Sequence, residues 1–485
     1  MQLKILHTND IHSRFENFAR ISKKIEELRD ENTIVLDAGD FHDFMSIEIQ
    51  GTKGAAGSSF LNVAGYDAVT IGNNEGFSGI KNIENMTNTK LIPYLSCNLY
   101  KADKSLIKGV KRSIIIDKSG VKFLIIGATP AGPSYNEFFS LENMYASDPI
   151  EEINKEIFNN KGKYDICVFL SHLGINADKE IAKKIEGIDI IIGGHSHTLM
   201  DEVEVINGKI IHQSGMLGEY LGVLNIEIEN GSIKNFSSAN LNIKEVPLQD
   251  KMLKEISKQK QIAIEVLSEP LYEVQRNLWH DVIEESPITN LLADALRDVI
   301  PCDLSIINSG ILSGGIKKGF VSNKKLLEIC PSPLNPTYVE IMGKDIKQAL
   351  EASLRGEVCL QDGRGAGFRG KYLGRLHISG AKIKHDGKNI IDIILENGEF
   401  NENKLYSVAT SDYLQRGTGY ESLGRCKNEK YNKDYLRDTL REYLSKKDFV
   451  EKCFEERWLL LGDITITRTR DEKIATRNPH YVPIS

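Results

Sequence analysis

No stretch of this 485-residue chain approaches the roughly 20 consecutive apolar residues that a bilayer-spanning helix needs, so no membrane anchor is expected. Cysteine is sparse: the seven present are scattered and odd in number, with no Cys-x-x-Cys pair. That excludes a disulfide framework and a zinc knuckle, and implies buried or free thiols in a reducing compartment. Positive charge is not in excess either. The formal net charge of −7 gives no reason to expect a nucleic-acid polymer or an anionic membrane surface as partner. Internal repeats and low-complexity tracts are missing. No signal-peptide pattern precedes Leu3, because the first apolar strand starts at the N-terminus, and the expected location is the cytoplasm.

What is present is a globular composition with 41% hydrophobic residues, enough for sizeable cores, on a length that predicts at least two domains. A strand, Leu3-Lys4-Ile5-Leu6, runs into His7-Thr8-Asn9-Asp10-Ile11-His12. On an extended strand end, Asp10 and His12 would project to the same side, as half of a first-row metal shell. Four later β-branched runs end in the same manner. Thr33 to Asp37 leads through Ala38-Gly39 to Asp40, and Ala68 to Ile71 leads to Gly72-Asn73-Asn74-Glu75. Ile166 to Leu170 leads to Ser171-His172-Leu173-Gly174, and Ile188 to Ile192 leads to Gly193-Gly194-His195-Ser196-His197. Taken singly, Asp40 is also compatible with a helix N-cap, Asn73 with a turn and each His with a solvated side chain. Jointly they place metal-ligand chemistry at the carboxyl ends of strands, where open sheets assemble sites.

The ordered set Asp-x-His, Gly-Asp, Gly-Asn-x-Glu, Ser-His-x-Gly and Gly-His-Ser-His resembles the calcineurin-like metallophosphoesterases, and His7 to His12 resembles their 5′-nucleotidase and UDP-sugar hydrolase branch. The resemblance implies an α/β fold: an N-terminal four-layer α/β/β/α sandwich, residues 1–245, a linker helix, 246–272, and an α+β substrate-binding domain, 273–485. It implies two divalent metal ions, drawn from Mn, Zn, Fe, Co or Ni. Asp10, His12 and His197 would hold one, Asn73, His172 and His195 the other, and Asp40 would bridge them. Asp40 and Asn74 are the expected catalytic positions. The family usually has His where this chain has Asn74, and an amide supplies no proton. His42 is the candidate substitute acid.

The second half matches the family's remaining motifs with departures. Ser286-Pro287 opens a helix whose Asn290 to Leu296 stretch is family-like, and the next strand ends at Asn308-Ser309-Gly310. The family's following Arg is missing, which leaves Lys317 as the phosphate or ribose contact, without the planar fork of Arg. Asp362 to Arg375 carries Arg364, Arg369, Lys371 and Tyr372 among glycines. It reads equally as an anion-binding loop and as a flexible surface loop. Tyr413 stands where the family stacks an aromatic on the base, and Gly417-Thr418 stands where it has an Asp. The resemblance thus implies a nucleotide or other small phosphate ester as partner and a role in nucleotide catabolism. The expected reaction is 5′-nucleotidase or nucleotide (UDP-sugar) pyrophosphohydrolase chemistry. Alternatives are a 2′,3′-cyclic-nucleotide 2′-phosphodiesterase, a general phosphatase and a catalytically weak nucleotide sensor.

Overall fold

Along the strand Ile166–Ser171, Val168 and Leu170 point into one core while Cys167 and Phe169 point into another. That is the period-two signature of a strand buried on both faces. The computed structural model describes residues 1–229 and 231–461, in two units divided between Val266 and Leu267.

In the first unit the strands of the two main sheets, in chain order, are β1 (Gln2–Thr8), β2 (Thr33–Asp37), β3 (Ala68–Thr70), β4 (Tyr94–Leu95), β5 (Val110–Lys111), β6 (Ser113–Lys118), β7 (Val121–Ala128), β8 (Ile166–Ser171), β9 (Ile190–Gly193), β10 (Glu204–Ile206), β11 (Lys209–His212), β12 (Tyr220–Glu229) and β13 (Ser232–Asn242). Leu99–Lys101 and Met144–Ala146 pair as a separate two-stranded sheet. One seven-stranded sheet has the order β13-β12-β1-β2-β3-β4-β5, and a six-stranded sheet has the order β10-β11-β9-β8-β7-β6. β1, β2 and β3 run parallel, as do β7, β8, β9 and β11, so each set brings its carboxyl ends to one edge. Leu3, Ile5, Ile34 and Leu36 of the first sheet pack with Ile125, Val168, Leu170 and Ile190 of the second in a core between the sheets. Helices cover the outer faces: Phe15–Leu28 and Ala55–Ala64 on the first, Pro149–Asn159 and Ile175–Lys184 on the second. The expected four layers are present. The side chain of Thr70 ties the sheets near the site, donating from Oγ1 to the Leu170 carbonyl at 2.8 Å.

β13 is a polar edge strand, SIKNFSSANLN, whose pattern carries little hydrophobic signal. The predicted linker helix is Asp250–Leu267, and the division at Val266/Leu267 falls at its end.

The second unit has its own core around a five-stranded sheet ordered Leu376–Ser379, Leu304–Asn308, Leu405–Ser411, Pro336–Met342, Lys427–Tyr431. The helix Pro287–Val299 packs on it, with Ser286 at the N-cap and Pro287 in the first turn. Ser286 Oγ meets Thr289 Oγ1 at 3.0 Å, not a backbone N–H. Residues 462–485 of the expected 273–485 domain lie outside the described residues. All seven cysteines are free, five of them buried.

Candidate metal centre

Five loops leave the carboxyl ends of β1, β2, β3, β8 and β9, and those after β1, β2 and β9 have unusual backbones. Asp10, His12, Asp40, His195 and His197 all have left-handed φ, from 47° to 72°. For non-glycine residues this conformation costs about 1–3 kcal/mol each and collects at functional sites. Convergence of Asp10 and His12 therefore does not come from strand pleating, as the sequence suggested. β1 stops at Thr8, and a left-handed turn, not an extended end, brings the two side chains together.

Two groups of possible ligands result: Asp10, His12 and His197, and Asp10, Asp40 and His172. His197 Nε2 is 3.4 Å from Asp10 Oδ1 and 3.3 Å from His12 Nε2. His172 Nε2 lies 3.4 Å from Asp40 Oδ1 and 3.8 Å from Asp10 Oδ1. Asp10, not Asp40, is common to both groups in this geometry. His195 borders the second group, with its ring centroid 5.2 Å from that of His172. Asn73 opens the short helix Asn73–Phe77 after β3.

The donor set fits metal ions. Asp10 Oδ1, Asn73 Oδ1 and His172 Nε2 are buried and have no hydrogen-bond partner among the described residues. Burying such atoms unpaired is costly unless an ion takes their lone pairs. The remaining atoms of these side chains are tied down. His172 Nδ1 sits 2.6 Å from the Ala38 carbonyl, which orients Nε2 toward the cluster. Asp10 Oδ2 accepts from Asn9 Nδ2 at 2.7 Å and from the His195 backbone N–H at 2.9 Å. Asn74 N–H donates to Asp40 Oδ1 at 2.8 Å.

Charge follows the same logic. Burial works against a charged His172, yet Asp40 and Asp10 hold its imidazole up at about 10. Burial likewise opposes ionisation of Asp40 and Asp10, but His172 beside them keeps both carboxyls below the usual range. Burial, aided by His172, lowers His195 to about 4. The Asp10 and Asp40 carboxyls thus make the surroundings of His172 Nε2 a place that favours positive charge, as a bound cation requires.

Glu75 organises the loops, a role the sequence did not reveal although the motif contains it. Its fully buried carboxylate accepts from the backbone N–H of Asp40 (3.1 Å), Gly72 (3.0 Å) and His42 (2.9 Å). His42 Nδ1 lies 3.0 Å from Glu75 Oε1, and its Nε2 lies 3.2 Å from the Gly54 carbonyl. His42 is fully buried, so it is a structural partner of Glu75 and not the substitute acid suggested by its position after Asp40. Asn74 is also engaged within the protein: Nδ2 is 2.9 Å from His12 Nδ1 and 3.2 Å from the His42 carbonyl. Two further residues escaped sequence reading. Asn9 braces Asp10, and the Tyr135 hydroxyl lies 2.6 Å from His195 Nε2. Nothing in the local sequence around Tyr135 marks it.

In the second unit, Asn308 ends its strand fully buried, with Nδ2 donating to the Leu373 carbonyl at 2.6 Å. Gly310 packs so closely that an added Cβ would sit 1.9 Å from the Tyr372 carbonyl oxygen. Tyr413 is buried, with Phe368 stacked on it at 4.5 Å and its hydroxyl meeting the Arg364 backbone. The ring face reserved by resemblance for a base is covered by a residue of the basic loop. The Arg364 side chain is exposed beside Asp362, and Arg369, also exposed, donates its backbone N–H to Ser332 Oγ. Tyr372 bridges to Asp362 and closes the loop. Lys317 is exposed on a different segment, beside Lys325.

Residues 3–199 match the calcineurin-like phosphoesterase family, and residues 264–425 match the 5′-nucleotidase C-terminal domain family. The chain is 30% identical to the uncharacterized metallophosphoesterase YunD of Bacillus subtilis, across 90% of this chain and 98% of that protein. It is 25% identical to a 5′-nucleotidase of Diplobatis ommata, across 89% of this chain and 85% of the relative. Its fold is similar to that of the NAD nucleotidase NadN of Haemophilus influenzae, with a TM-score of 0.65, 19% identity and coverage of 96% and 98% of the two chains.

Proposed function

The chain belongs to the calcineurin-like metallophosphoesterases with a 5′-nucleotidase C-terminal domain, and is a metal-dependent phosphoester hydrolase; on that premise we propose that it hydrolyses nucleotides, as a 5′-nucleotidase or a nucleotide pyrophosphohydrolase. The observation that carries the metal reading is the trio of buried, unpartnered ligand atoms on Asp10, Asn73 and His172. The names of its relatives, a 5′-nucleotidase and an NAD nucleotidase, support a nucleotide as substrate.

We assign Asp10, His12 and His197 to one divalent ion and Asn73, His172 and His195 to a second. Such ions, when bound, polarise phosphoryl oxygens and lower the pKa of water. The chain's own part is to hold those ligands. Glu75 and Asn9 fix the loops, the Ala38 carbonyl fixes the His172 ring, and Asn74 bears on His12. By family pattern Asp40 would be the carboxylate shared by the two ions, whereas Asp10 belongs to both ligand groups in this structure. The two readings separate on metal content. Loss of the bridging charge weakens both ions, and loss of a terminal ligand weakens one.

The test is phosphate release by Mn-loaded protein from mono-, di- and cyclic nucleotides and sugar nucleotides. Turnover of a nucleotide, abolished in Asp40→Asn, is expected. Stoichiometric nucleotide binding without turnover would make the chain a sensor, and turnover confined to 2′,3′-cyclic substrates would make it a cyclic phosphodiesterase. Turnover of non-nucleotide esters alone would make it a general phosphatase.

A further inference from the structure

The metal cluster has a floor and a rim. Asp10, Asp40 and His172 are buried, whereas His12, Asn74, His195 and Tyr135 are half-buried and His197 is exposed, so a phosphate ester approaches across the rim. A hydrogen-bond donor for that ester has to stand there. Asn74, which occupies the usual place of a His, is turned to His12 and the His42 carbonyl, and His42 itself is enclosed between Glu75 and Gly54. Neither faces the rim with a spare donor.

Tyr135 does. It lies in the helix Pro133–Leu141, and its ring meets His195 edge-on at 5.7 Å. On the other side it is stacked on Phe77 at 6.3 Å and 16°. Phe77 ends the same short helix that Asn73 opens, so the phenol is held in register with the metal loops. The hydroxyl is 2.6 Å from His195 Nε2. If His195 gives its Nδ1 lone pair to a metal ion, its proton sits on Nε2, and the Tyr135 oxygen must accept that N–H. The phenol's own O–H is then free to donate elsewhere.

We propose that Tyr135 is a catalytic residue whose hydroxyl accepts from His195 and donates a hydrogen bond to a phosphoryl oxygen of the bound ester, filling the donor position that Asn74 leaves empty. The inference rests on the hydrolase reading above.

The experiment is Tyr135→Phe, with bound Mn counted by elemental analysis and inorganic phosphate binding followed by calorimetry alongside turnover. With metal content brought to the wild-type value, phosphate affinity and kcat/KM are each expected to fall about 10- to 100-fold, the size of a lost hydrogen bond to a charged group. Wild-type phosphate affinity in the metal-loaded variant would overturn the proposal. So would a loss of bound metal that excess Mn fails to restore, since Tyr135 would then only support His195. A wild-type protein that binds Mn but neither binds phosphate nor releases it from any ester would sink the hydrolase reading itself, whatever the variant does.

Discussion

Glu75 shows what a single residue contributes to the site. It gathers the backbone N–H groups of Asp40, Gly72 and His42 on one buried carboxylate. A Glu75→Gln change turns an amide NH2 toward at least one of those donors. Each unsatisfied buried donor costs about 1–3 kcal/mol, so the expected loss is roughly 3 kcal/mol, read as a lowered urea midpoint with an unchanged slope. Asn74→His is the complementary change at the rim. A rise in kcat of about 10²-fold is expected from restoring a proton donor there, and an unchanged rate would show that proton donation at this position does not limit turnover. His172 sets the pH dependence. Its imidazole is raised to about 10 by Asp40 and Asp10, against the opposing effect of burial. Its proton therefore stabilises the metal-free fold fully below the unfolded value near 6.5, and that contribution is lost as pH rises through about 10. Burial pushes the Asp178 carboxyl up to about 7, which acts in the same direction. Chelated protein should accordingly melt at lower temperature as pH goes from 6.5 to 10. Metal must displace the His172 proton, so Mn affinity should strengthen with pH, about tenfold per unit for each proton released, in calorimetric titrations.

At the scale of elements, parallel strands bring ligands to one edge, and glycines let the loops close on each other. Gly39 has φ 96°, and an added Cβ would lie 2.8 Å from His172 Nδ1. At Gly72 the added Cβ would lie 2.1 Å from Asp40 Oδ1 and 2.6 Å from Asp40 N. Gly72→Ala is expected to displace Asp40 and weaken Mn binding about 10- to 100-fold, the equivalent of the 1–3 kcal/mol cost of overpacking. Far-ultraviolet circular dichroism should stay unchanged, because the strands on either side do not depend on this contact. The strands themselves were legible: β2, β8 and β9 are apolar runs that end at small residues, β2 before Ala38-Gly39, β8 on Ser171 and β9 on Gly193. β13 was not, since an exposed edge strand has no buried face to write a pattern.

For the whole molecule, the cores of the two units share no residue, and the proposed metal ligands all lie within Met1–Val266. Metal should therefore stabilise that unit. At about 100 times Kd, binding adds roughly 2.7 kcal/mol, or about 5–10 °C in the transition of a domain this size. Calorimetry with Mn and with chelator checks this, and a metal-independent trace would count against the centre.

The sequence by itself carried the strand runs and the ligand-type residues at their ends, because burial periodicity and side-chain chemistry are written locally; the four-layer class, the domain order and the ligand assignment came only as what the family resemblance implies. Tertiary structure alone decided the rest. Left-handed backbones at Asp10, His12, Asp40, His195 and His197 aim the ligands, and Asp10 falls within both groups. It also removed His42 as an acid, covered the Tyr413 ring with Phe368 and set Tyr135 against His195. These are contacts between residues far apart in the chain, as in the His195 N–H on Asp10, 185 positions away. No local propensity specifies them; they exist because two sheets pack face to face and bring their loop edges together.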